Sequence, residues 1–151
     1  MKFLSSIARI FADVVLFMRI AFFVTVLPFV LRLLPLSYIL NSCLPKKVKC
    51  LSPILQSEKK AKIIATIDFL MKWRIPVFRS TCLKRSLALF KFLREINIPL
   101  DINFGINKGQ ATRELKRGHV WLTCGDTIVF SDNVIEKYTF CYRFPEHKDA
   151  N

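Results

Sequence analysis

The chain has no Cys-x-x-Cys pair, no disulfide-like spacing among its five cysteines, and no uncharged apolar run of membrane-spanning length. Each absence excludes something. Cys43, Cys50, Cys82, Cys124 and Cys141 are odd in number. Cys43 and Cys50, separated by Pro45 and three lysines, suit no common ligand pattern, so a structural zinc site is not expected and neither metal nor cofactor is assigned. Free thiols in a reducing compartment are the simpler reading, which makes the cytoplasm the expected location. Residues 20–31 read IAFFVTVLPFVL, bracketed by Arg19 and Arg32, whereas a spanning helix needs about 20 apolar residues. Joining this run to the apolar stretch 33–45 would place Arg32 and Pro35 inside the span, and a central charge costs on the order of 3 kcal/mol. Arg9, Asp13 and Arg19 interrupt a signal-peptide core, and no small-x-small cleavage site follows. The expectation is therefore two helices, buried or facing an interface, broken near Pro28 or Pro35. No internal repeat or low-complexity tract is present.

What remains is an apolar and strongly basic chain. Fourteen phenylalanines and a hydrophobic share of 52% in 151 residues argue for one folded domain rather than disorder. The net charge of +13 favours anionic partners, whether nucleic acid, an acidic membrane face or an acidic peptide, without choosing among them.

Turn and breaker residues over 41–60 separate an apolar helical N-terminal region, 1–56, from a core over 57–145 and a polar tail, 146–151. Ala61, Ile64, Ala65, Ile67, Phe69, Leu70 and Trp73 approximate helical spacing over 57–73, with Lys59, Lys60 and Lys62 as a solvated face, and Pro76 closes the segment. A second helix starts at a Ser80 or Thr81 cap and carries Leu83, Leu87, Phe90 and Leu93. Asn97 suits a left-handed terminus there, and Pro99 prevents continuation. Leu100, Ile102, Phe104 and Ile106 alternate with polar residues and glycine, which predicts a half-buried strand. A basic loop, 107–117, follows. Gly125-Asp126 then joins strands over 120–124 and 127–130 through a two-residue turn with glycine first, as type II′ requires.

Three residues carry candidate chemistry. Cys82 falls in the first turn of the second helix, where the dipole and the terminal amides favour a thiolate. Continuing the hairpin pairing outward from the turn matches 123 with 128, 121 with 130 and 119 with 132. His119 and Asp132 then stand opposite each other on one face, within reach of an imidazole–carboxylate hydrogen bond. Cys82 as nucleophile, His119 as base and Asp132 as the orienting carboxylate make a thiol triad, with amides near Cys82 available to an oxyanion. Trp121 shares the face of His119 and could shield the site. Each residue also has a plainer reading: a helical cysteine as a small buried hydrophobe, a strand histidine as surface or core, and Asp132 as a turn former. Cys124, beside the turn, is a weaker nucleophile, Asp126 reads as a turn residue, and His147 lies in the polar tail.

Taken together, Cys82-Leu83-Lys84-Arg85-Ser86-Leu87-Ala88-Leu89, Phe104-Gly105-Ile106, His119-Val120-Trp121 and the later aspartate resemble the B2 proteins of lasso-peptide maturation. These are small transglutaminase-like cysteine peptidases. The resemblance is strongest over 74–140. It departs at Val120, where alanine is common, at Asn97, where glycine often ends the helix, and in a His-to-Asp separation about one residue longer. It implies an α+β, papain-like or transglutaminase-like fold with the nucleophile helix packed on a small antiparallel sheet. It also implies a leader peptidase that cleaves a ribosomally made precursor so that a separate lasso cyclase can act on the core. The implied partners are the precursor's leader region, a leader-binding B1 protein and the cyclase, with contact to a membrane surface open and nucleic acid not expected. Another thiol acyl-transfer enzyme and a non-enzymatic membrane-associated scaffold are the rival classes.

Overall fold

A computed structural model describes residues 2–45, 52–72, 81–107, 118–131 and 135–145. Among the described residues, four α-helices, α1 (Lys2–Leu33), α2 (Leu36–Cys43), α3 (Pro53–Lys72) and α4 (Cys82–Glu95), precede a sheet of β1 (Asp101–Asn107), β2 (Gly118–Cys124), β3 (Thr127–Phe130) and β4 (Tyr138–Phe144). The sheet is antiparallel with spatial order β3-β2-β1-β4. This is the expected α+β architecture.

The N-terminal break falls at Pro35, while α1 continues through Pro28. Proline removes one intrahelical bond, and a helix this long tolerates it as a local defect. Ile20, Val24 and Leu27 lie one turn apart and are fully buried against the domain, joined there by Ile39, Leu40 and Cys43 of α2. α3 begins four residues earlier than its periodicity suggested, because Pro53 occupies the first turn, where its missing N–H costs nothing. Its buried stripe is Ile63, Ile67, Leu70 and Met71, while Phe69 is exposed.

α4 is the centre of the molecule. Leu87, Ala88, Leu89, Phe90, Phe92 and Leu93 are buried together, so this helix is enclosed on most sides. Fully burying such side chains stabilises by roughly 1.5–3 kcal/mol each. The helix ends in a Schellman motif: Ile98 N–H donates to the Leu93 carbonyl at 3.1 Å and Asn97 N–H to the Arg94 carbonyl at 3.1 Å. Asn97 adopts φ +65°, as expected for a left-handed terminus. Gln56 Nε2 also donates to the Ile96 carbonyl at 2.8 Å, tying α3 to this end.

One expectation for the sheet needs correction, and one strand was not foreseen. β1 is not half-buried, since Asp101 and Asn103 are enclosed along with Leu100 and Ile102. The reason is topological: β1 lies between β2 and β4, and its polar face is filled by Asn103 Nδ2 donating to Thr123 Oγ1 (3.0 Å) and Arg143 Nε donating to Asn103 Oδ1 (3.1 Å). β4 was unread in the sequence, although Tyr138, Phe140, Tyr142 and Phe144 alternate along it.

Candidate active site

Cys82 is the first residue of α4 and is half-buried. Thr81 is the cap: its backbone is extended and its Oγ1 accepts from Lys84 N–H at 3.3 Å. Ser80, the alternative cap, lies outside the described residues. The capped turn places Cys82 at the positive end of the α4 dipole. An ion pair from Arg85 Nε to Asp68 Oδ1 of α3, 2.9 Å, anchors the same turn.

One turn along from Cys82, Ser86 Oγ donates to the Val120 carbonyl at 3.4 Å. This buried contact joins the N-terminal half of α4 to the beginning of β2, at the residue after His119. Val120 and Leu122 enter the helical core, whereas His119, Trp121 and Thr123 alternate onto the other face of β2. His119 is only 2% exposed, which separates it from an ordinary surface histidine. Its ring has two stacked aromatic neighbours, Tyr138 at 4.8 Å and Trp121 at 6.1 Å between centroids. Trp121 thus stands next to the imidazole on the same face of β2. The indole lies over Gly105, where a Cβ would meet Trp121 Cζ3 at 2.8 Å and the Thr139 carbonyl oxygen at 2.9 Å. Only glycine leaves room for this arrangement.

The hairpin differs from the inferred one beyond its turn. Cys124 pairs with Thr127 and Thr123 with Ile128, and Gly125 has φ +58° while Asp126 does not share the positive sign, as in a type II′ turn. A bulge then intervenes, and Leu122 pairs with Phe130. The pairing of 121 with 130 is thus replaced, because the extra residue, Val129, advances β3 by one position. Near His119 the bulge brings Ser131, whose Oγ is 3.4 Å from His119 Nε2. Ser131 and Tyr138 were missed in the sequence: the bulge has no local signal, and Tyr138 belongs to the unread strand. Asp132, the loop over 108–117, Cys50, the helix-closing stretch 73–76 and the tail over 146–151 with His147 lie outside the described residues.

Of the other thiols, Cys43 is buried, Cys124 half-buried and Cys141 exposed. Burial pushes the Cys43 thiol up to about 11, with Lys91 opposing the shift, so it stays protonated and inert. Among the described residues, no group of three histidine, cysteine or carboxylate side chains could hold a metal ion.

A capped helix with cysteine at its first position, packed on an antiparallel sheet that carries a buried histidine, is compatible with a thiol acyl-transfer fold. The family model for the transglutaminase-like superfamily matches residues 23–142, and the chain belongs to that superfamily. The superfamily's fold is of the cysteine peptidase and acyltransferase type. No curated protein and no solved structure matches the chain.

Proposed function

We propose that this protein is a cysteine peptidase that removes the leader from a ribosomally made lasso-peptide precursor. Cys82 attacks the scissile carbonyl, His119 accepts the thiol proton and returns it to the leaving amine, and Asp132 orients the imidazole. Departure of that amine frees the core's N-terminus for a separate cyclase, and water then hydrolyses the thioester to release the leader as a carboxylate and restore the Cys82 thiol. The observation that carries this reading is the placement of Cys82 at the capped start of α4, a helix whose Ser86 bonds to the carbonyl of Val120, the residue after buried His119 in β2. The bulge removes the parity that set Asp132 opposite His119 and brings Ser131 Oγ to 3.4 Å from Nε2, so the orienting role of Asp132 rests on the motif resemblance. The precursor's leader, a leader-binding B1 protein and the lasso cyclase are the proposed partners, and the cytoplasm is the proposed compartment.

The test is cleavage of a leader–core precursor by the full chain with its leader-binding partner, followed by mass spectrometry. Cys82→Ala should abolish cleavage while leaving the circular dichroism spectrum and melting temperature near those of the wild type. Unchanged processing would rule the peptidase out. A product joined to an added amine, rather than a free carboxylate, would place the protein among the acyltransferases.

A further inference from the structure

α1 has two faces with opposite fates. Ile20, Val24 and Leu27 are buried, yet Phe11, Met18, Phe22 and Phe29 form a stripe on the other side, with Phe11 70% and Phe22 72% exposed. Ile7, Val14, Val15 and Leu33 flank the stripe, and Ile10 and Phe17 widen it further. At 100° per residue these positions cover about half the helix circumference. That arc is wider than the narrow seam used between two coiled helices. The apolar segment runs for 24 residues, Ile10–Leu33, and so is long and apolar enough to cross a bilayer by length and composition.

Its attachments argue against crossing. Arg19 pairs with Glu95 of α4 at 2.9 Å and Asp13 with Lys62 of α3 at 2.6 Å, so both charged helices would have to follow α1 into hydrocarbon. The charge balance points the same way. Apart from Arg19 and Asp13, which are paired with Glu95 and Lys62, the charged residues of 1–56 are Lys2, Arg9, Arg32, Lys46, Lys47 and Lys49, all basic. An apolar helical face with basic residues at both ends fits a bilayer surface of anionic headgroups.

We infer that α1 lies in the plane of an anionic lipid surface, its Phe11–Met18–Phe22–Phe29 face in the acyl boundary and the catalytic domain on the aqueous side. This inference is independent of the peptidase reading, because its readout is binding alone. The experiment is flotation of the full chain with phosphatidylcholine vesicles, with and without phosphatidylglycerol. The expected result is binding to the phosphatidylglycerol vesicles that weakens with salt. Phe22→Glu combined with Phe29→Glu should lower it on the order of tenfold or more without altering the circular dichroism spectrum. Arg32→Glu, which leaves the apolar face intact, should weaken binding only to the anionic vesicles. Absence of vesicle binding would overturn the proposal, as would a dimer in sedimentation that the phenylalanine variants dissociate. Resistance to alkaline extraction from the vesicles would overturn the in-plane placement in favour of a span.

Discussion

The indole of Trp121 rests on Gly105 closely enough that a Cβ at 105 would lie 2.8 Å from Cζ3. Since Trp121 in turn stacks on His119, a residue with no chemistry of its own sets the position of the proposed base. Gly105→Ala should therefore cost about 1–3 kcal/mol by overpacking and reduce precursor cleavage more than its stability loss explains. Urea denaturation alongside turnover at a temperature where the variant is fully folded separates the two effects. Activity equal to wild type under those conditions would disconnect Trp121 from the site.

Around the imidazole, graded losses are expected. His119→Ala should eliminate cleavage, and Asp132→Asn should lower it strongly by releasing the tautomer. Ser131→Ala, which removes a 3.4 Å contact to Nε2, should cost roughly 0.5–1.5 kcal/mol of transition-state stabilisation at most. An Asp132→Asn enzyme as active as Ser131→Ala would move the orienting role away from Asp132.

Thr81 links stability to nucleophile chemistry. Thr81→Ala removes the acceptor for Lys84 N–H and should destabilise the protein by about 1 kcal/mol, whereas Thr81→Ser, which keeps the hydroxyl, should avoid most of that loss. If the capped turn also activates the sulfur, alkylation of Cys82 by iodoacetamide should slow in the alanine variant and recover in the serine variant. Equal rates in all three would confine Thr81 to a structural role.

Cys43 predicts an alkaline effect. Its thiol ionises at about 11 in the folded protein against an ordinary 9.0, so the unfolded chain loses this proton first as pH rises. Stability from this group is present below pH 9 and falls between roughly 9 and 11, by on the order of 2–3 kcal/mol. Comparing urea midpoints at pH 8 and pH 10.5 should show a larger drop for wild type than for Cys43→Ala. Identical drops would remove Cys43 as the source.

Local chemistry was legible in the sequence wherever the deciding contacts are local. Thr81 and Asn97 mark the ends of α4 because capping and left-handed geometry depend on a few neighbouring residues, and Gly125-Asp126 marks the turn for the same reason. The alternation over 100–106 likewise announced β1, and the motif around Cys82 announced the superfamily. Tertiary structure alone decided the burial of Asp101 and Asn103, because it depends on β4 pairing with the far edge of β1. It alone placed the bulge at Val129, which breaks a parity rule that holds only while both strands advance one residue at a time. And it alone divided α1 into a buried stripe of Ile20, Val24 and Leu27 and an outward face of phenylalanines, since a helix apolar on every side contains no signal for which side meets the protein.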